Sequence, residues 1–250
     1  MTIYVFHPIA LILLGWLAGT TVNLLADWLS WSSLRPIFKC NYCGKKYSYV
    51  NYIFWFRRCP TCGKGSKNRV WFVEMFYIIA TILMWYHPST ALNFALSLIT
   101  LIYFGVIFVI DLEHKIINTS LLILGVPLGM LMGIAHNDLE FTLLGGVAGF
   151  LLTFLIYLLG FLFSKYMAKF KRTNMSSTAF GYGDVLLGGV LGLMVGWPEV
   201  FTSLFSAILS AGLFSGIFIL FMLLRRQYIP GKVIPYAPFL VIGAVSVLYF

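Results

Sequence analysis

Long apolar runs alternate with short polar stretches along the whole chain. The runs fall near residues 8–29, 71–87, 90–112, 116–135, 139–165, 199–224 and 234–250, and are judged against the roughly 20 residues a helix needs to cross a bilayer. A shorter run, 184–197, counts as a spanning or partly spanning helix because Pro198 and Glu199 break the pattern before the next one starts. The pattern therefore predicts an all-α polytopic membrane protein of about eight transmembrane helices. It divides into a first helix (1–29), a polar loop (30–70) and a helical bundle (71–250).

Composition agrees, with 60% apolar and only 10% charged residues against the roughly 25% charged that is usual in soluble domains. The segment from Ile9 to Trp28 has no Lys or Arg before it, so it lacks the basic start of a cleaved signal peptide and is read as a retained first helix. Charge then orients the bundle. Threading eight helices from an outside N-terminus places all 17 Lys and Arg residues in or beside the segments 30–70, 113–115, 165–183 and 225–233, which the positive-inside rule assigns to the cytoplasm. One helix more or fewer before residue 225 would put a basic cluster on the wrong side.

Two carboxylates stand where apolar runs meet polar stretches: Asp111, in Val-Ile-Asp-Leu-Glu-His, and Asp184, in Gly-Tyr-Gly-Asp-Val. A charge in a membrane helix is costly, roughly 2.5–3.5 kcal/mol at the bilayer centre on insertion scales, and is usually kept for function. The threading puts Asp111 at the cytoplasmic end of the third helix and Asp184 at the cytoplasmic start of the sixth, hence at one depth. If the two approach within a few Å they cannot both ionise easily, and they titrate as a unit that shares a proton. The ionised member can take a proton from water while the protonated one donates to a peptide carbonyl or leaving amine, which is peptide hydrolysis without a covalent intermediate.

Gly181 and Gly183 are candidate substrate-binding residues, since glycine permits positive φ and lets an extended peptide pass close to the backbone. Gly188, Gly192 and Gly196 form a small-residue row that lets helices approach closely; it either brings the carboxylates together or only packs the bundle. The plainer reading of Asp184 is a helix N-cap, and that of Glu113 and His114 is interfacial polarity.

The loop holds all four cysteines, as Cys40-x2-Cys43 and Cys59-x2-Cys62 with fifteen residues between the pairs and Gly44 and Gly63 directly after them. This is the spacing of a four-thiolate zinc ribbon, structural because its coordination is closed. A redox pair is the competing reading, without a thioredoxin-like context to support it. Nine basic and no acidic residues interleave with aromatics in the same loop. Tied at both ends to membrane helices, it is read as lying on anionic lipid headgroups rather than binding nucleic acid.

With these motifs in order, the chain resembles the type IV prepilin peptidases, membrane aspartyl proteases with a Gly-x-Gly-Asp motif. Gly19-Thr20-Thr21-Val22-Asn23 looks like the family's Gly-Ser-Phe-Leu-Asn, Val73-Glu74 like its Val-Glu, and Ile110-Asp111-Leu112-Glu113-His114 and Gly181-Tyr182-Gly183-Asp184-Val185 like its two catalytic motifs. Ile234-Pro235-Tyr236-Ala237-Pro238-Phe239 resembles its last-helix Pro-Phe-Gly-Pro-Phe. The resemblance implies catalysis by Asp111 and Asp184 at the cytoplasmic face of a bacterial inner membrane. It implies removal of a short basic leader, after Gly, from prepilins or pseudopilins. For members with the cysteine loop it further implies N-methylation from S-adenosylmethionine, although no glycine-rich fingerprint marks a site for that cofactor. Trp28, the first cysteine pair without its usual Pro, the shorter spacer and Asn118-Thr119 depart from the family pattern.

Three other readings compete. A proton or cation transporter would need charges near the bilayer midplane along a path. A noncatalytic scaffold recruiting pilus or secretion components through the zinc loop would tolerate Asp substitutions and be sensitive to Cys40→Ser. A presenilin-like peptidase shares the Gly-x-Gly-Asp and late-proline pattern but not the zinc loop.

Overall fold

The computed structural model describes residues 8–30, 43–45, 62, 68–88, 93–171, 181–226 and 234–249. Among these are eight helices and no strands: α1 (Pro8–Ser30), α2 (Arg69–Tyr86), α3 (Phe94–His114), α4 (Thr119–His136), α5 (Leu139–Lys171), α6 (Tyr182–Val195), α7 (Val200–Leu224) and α8 (Ala237–Leu248).

The sequence predicts about eight transmembrane helices; the spans among the described residues are fewer. Six helices, α1 to α5 and α7, are long and apolar enough to cross a membrane. At 14 and 12 residues, α6 and α8 reach only about 21 and 18 Å against a hydrocarbon core of roughly 30 Å. The reason is local. Gly181 is extended and Gly196 has φ +83°, so α6 cannot continue at either end. Pro235 and Pro238 hold the chain before α8 out of helix until Ala237.

The chain forms two compact units, Met1–Pro88 with Ser97–Val106, and Ser89–Leu96 with Ile107–Phe250. In the first, α1 and α2 run antiparallel, as their paired positions show. The Thr20 hydroxyl donates to Glu74 Oε1 at 3.1 Å, Asn23 Nδ2 to the Val70 carbonyl at 3.4 Å, and Arg69 to Asp27 at 2.9 Å. Gly15 and Gly19 make this possible, because a Cβ at either would lie 2.6 Å from Ile78 Cα or 2.8 Å from Glu74 Cα. Polar groups buried in apolar surroundings need partners, and here the two helices supply them to each other. The Tyr77 hydroxyl likewise donates to the Leu101 carbonyl at 2.5 Å.

In the second unit α6 is central and packs against α4, α5, α7 and α8; nine of its fourteen residues are buried, which explains how so short a helix is held. Its closest neighbour is α5, antiparallel, with Gly145 and Gly149 facing Gly192 and Gly188. The small-residue row therefore packs α6 onto α5, as the plainer reading had it. It is not turned toward α3, which carries Asp111. At the other end Asn137 donates from Nδ2 to the Val195 carbonyl at 3.0 Å, closing the foot of α6. The outer faces of α5 and α7 expose Leu151, Leu155, Leu162, Leu209, Leu213 and Leu220, as surfaces in contact with lipid do.

Candidate active site

Asp111 sits in the last turn of α3. That helix ends at Lys115, which adopts the left-handed region (φ 55°, ψ 37°) and donates its N–H to the Asp111 carbonyl at 2.9 Å. Left-handed caps of this type let a helix stop within one residue. The Asp111 side chain is only 4% exposed. Its Oδ2 accepts the N–H of Ala237 at 3.1 Å.

Ala237 is the first residue of α8. The first N–H groups of a helix have no partner within it and carry the positive end of its dipole. The Tyr236 carbonyl already accepts from Phe239 and Leu240 at 3.0 and 3.3 Å, while the Ala237 N–H is left for Asp111. A carboxylate from one helix end thus satisfies the orphan donor of another.

Asp184 is the third residue of α6 and 8% exposed. Its Oδ2 accepts the Gly181 N–H at 2.9 Å, and its own N–H donates to the Gly181 carbonyl at 3.1 Å. The capping role that the sequence offered as the plainer reading is therefore real, though exercised from the third helical position backward. It does not account for the rest of the site. The charge of Asp111 bears on Asp184, and that of Asp184 bears on Tyr236, so the ends of α3, α6 and α8 converge on one pair of buried carboxyl groups. Burial first, and then the Asp184 charge, push the Tyr236 phenol above its ordinary value, so it stays protonated across the physiological range.

Gly181 is exposed and Gly183 half-buried. Neither uses the positive φ that the sequence suggested: Gly181 has φ −90°, and Gly183 lies inside the first turn of α6. The need for glycine is space. A Cβ on Gly183 would stand 3.1 Å from Ile117 Cβ, and one on Gly181 would stand 3.4 Å from Asp184 Oδ2. Between them Tyr182 is exposed, with its ring edge-on to Tyr157 of α5 at 6.5 Å. Glu113 and His114 are exposed and face each other at 3.8 Å. Asn118 caps α4 by accepting the Ser120 N–H at 3.0 Å.

Of the four cysteines, Cys43 is exposed and Cys62 half-buried, while Cys40 and Cys59 lie outside the described residues. Gly44, directly after Cys43, has φ +70°. Sequence reasoning quoted Tyr236 and Ala237 without giving them a role, and passed over Gly145 and Gly149. The signal for the first two was present: two prolines bracketing Tyr-Ala start a helix whose first amide must find an outside acceptor.

Fold and site together define a multi-pass helical membrane protein with a buried carboxylate pair between helix ends. Residues 98–217, which include both aspartates, match the model of the type IV leader peptidase family. Through this segment the chain is similar to that family. No curated protein and no solved structure matches the chain.

Proposed function

We propose that the protein is an aspartyl endopeptidase that cleaves the basic leaders of type IV prepilins or pseudopilins, after Gly, at the cytoplasmic face of a bacterial inner membrane. The observation that carries this reading is the pair of buried carboxyl groups, each accepting a backbone amide at the start of a helix, with the charge of Asp111 bearing on Asp184. The match of residues 98–217 to the type IV leader peptidase family supports a leader peptidase, and the clustering of basic residues supports the orientation.

Asp111, which accepts from the N-terminus of α8 and lies one turn from Lys115, is assigned as the carboxylate that takes a proton from the attacking water. Asp184 then holds the shared proton and delivers it to the leaving amine. Gly181 and Gly183 keep the approach to Asp184 free of side chains, so an unwound substrate strand can lie along it. The test is a membrane cleavage assay on a prepilin with a basic leader and Gly at the cut site. Product is expected from wild type and none from Asp184→Asn; equal product from both would favour the scaffold.

Cys40, Cys43, Cys59 and Cys62 are proposed to hold one structural Zn2+. The left-handed Gly44 supports this, since the turn after a Cys-x-x-Cys pair must bring backbone amides toward the thiolates, and it is the conformation that favours glycine. The metal would cross-link a loop too small to build its own core. Elemental analysis is expected to give about one zinc per chain, lost in Cys40→Ser together with protease resistance of the loop. A zinc-free wild type would sink the assignment. Among the described residues, Gly15 and Gly19 of α1, Gly145 and Gly149 of α5 and Gly188 and Gly192 of α6 are taken up by helix contacts, and no step is routed through S-adenosylmethionine.

A further inference from the structure

Resting on the peptidase reading for its chemistry, we propose that α8 holds Asp111 in place through its backbone: the Ala237 N–H is a positioning donor that fixes Oδ2 and leaves Oδ1 for the attacking water, and Gly243 is a second positioning residue that sets where this donor stands.

The two carboxylates are held in different ways. Asp184 Oδ2 accepts at 2.9 Å from Gly181, three residues away at the start of the same helix, so side chain and donor move together. Asp111 Oδ2 accepts at 3.1 Å from Ala237, which is buried and 126 residues away in the chain. The place of Asp111 therefore depends on the place of α8. A backbone N–H at a helix start can neither ionise nor rotate away, which makes it a donor fixed before the reaction begins.

What fixes α8 is its contact with α7. A Cβ on Gly243 would run into the Ser203 carbonyl oxygen and stand 3.0 Å from Ala207 Cβ, so the two helices meet there through bare backbone. Gly243 follows Ala237 by six residues in one helix, about 9 Å along its axis. Between them Phe239 meets Phe214 of α7 at 5.5 Å. A side chain at position 243 would have to move α8 off α7, and the Ala237 amide would move with it.

The charges that face Asp111 stay the same when this donor is removed. From α3 itself come Lys115, whose charge acts on Asp111, and Glu113 and His114, which are exposed and 3.8 Å apart. From α6 comes Asp184. The α4 helix carries no titratable side chain before His136 at its far end, and α8 carries none, with Tyr236 directly before it. At this end of α7, Arg225 lies over the Phe221 ring at 4.2 Å. A change in pH dependence on deleting the amide is therefore the amide's own.

The first test leaves the chain unaltered. Residues 236 and 237 are the one Tyr-Ala pair in the sequence, so protein labelled at tyrosine carbonyl carbons and alanine nitrogens shows a single carbon-coupled amide signal, that of Ala237. Its proton is expected to move downfield as Asp111 ionises, because hydrogen bonds to a charged acceptor are shorter and stronger, and to lose this titration in Asp111→Asn. A signal that does not titrate, or titrates equally in Asp111→Asn, overturns the role. The second test replaces Ala237 by lactic acid, its α-hydroxy analogue, which exchanges the N–H for an ester oxygen and keeps the side chain. The acid limb of the kcat profile should move up by about 1 pH unit with KM little changed, since a lost donor disfavours the charged form and a hydrogen bond to a charged group is worth about that much. The same exchange at Leu240, whose N–H goes to the Tyr236 carbonyl at 3.3 Å, removes a donor from α8 without touching Asp111 and should leave the limb in place. A limb unmoved by the first ester, or moved as far by the second, overturns the role. Gly243→Ala should move the limb upward as well, and a loss uniform at every pH overturns the part given to Gly243. An amide that follows Asp111 in a protein that cleaves no prepilin would leave the positioning role standing and overturn the peptidase reading instead.

Discussion

Asp111→Asn and Asp184→Asn are each expected to abolish leader cleavage while leaving the helical fold in place. Neither amide can take a proton from water or give one to a leaving amine, and each general acid–base step contributes roughly 10²–10⁴ in rate. The two act as a unit through one shared proton, so the double variant should be no worse than either single one. Asparagine is the informative replacement because its Oδ1 can still accept the Ala237 or Gly181 N–H, the two contacts that fix these side chains at 3.1 and 2.9 Å. Alanine would confound the result, leaving a buried amide without its acceptor at a cost of about 1–3 kcal/mol. The measurement is product formation in membranes beside thermal unfolding of the purified variants. Inactive but normally folded Asn variants would support the pair as catalytic. Variants keeping most of their activity would move the reading to a scaffold.

Gly145→Val should unfold the centre of the bundle, although Gly145 lies well away in sequence from either aspartate. A Cβ at Gly145 would stand 2.5 Å from the Gly192 carbonyl oxygen and 2.6 Å from Gly196 Cα. Both are backbone atoms, so only separation of α5 from α6 could make room. Overpacking of this kind costs about 3 kcal/mol, and parting the helices also removes the close contacts that small-residue packing provides in membranes. Because α6 carries Asp184 in its first turn, activity should fall with stability. Gly160→Ala is the control in the same helix: nothing lies within 4 Å of a Cβ there, and alanine is the better helix former by about 1 kcal/mol. A wild-type melting temperature for Gly145→Val in detergent would show that α5 and α6 do not pack through these glycines.

Much of this was legible in the sequence because a bilayer imposes lengths. Runs of about twenty apolar residues mark α1 to α5 and α7 with small errors at their ends. The short run behind α6 was legible as at most a partial span, while the stretch 234–250 looked like a full one and yields only the 12-residue α8, held back by Pro235 and Pro238. The glycine row in α6 was visible as a close-packing signal, but a period of four residues does not say which neighbour it faces. The answer required Gly145 and Gly149 of α5. At the site, Asp111 and Asp184 were singled out because charge is expensive beside lipid, and Gly181 and Gly183 because they flank the approach. The conformational reason offered for those glycines was the wrong one, since what they need is room beside Ile117 and Asp184.

The sequence by itself determined the class of protein, the helical segments of spanning length, the two aspartates at helix ends, and the four-cysteine loop. These depend on composition and on spacing along one dimension. The tertiary structure alone decided that α8 begins against Asp111 and that α6 closes on α5 rather than on α3. Each depends on which orphan amide, carboxylate or bare backbone meets which across residues far apart in the chain, and such pairings leave no periodic trace in the residues that make them.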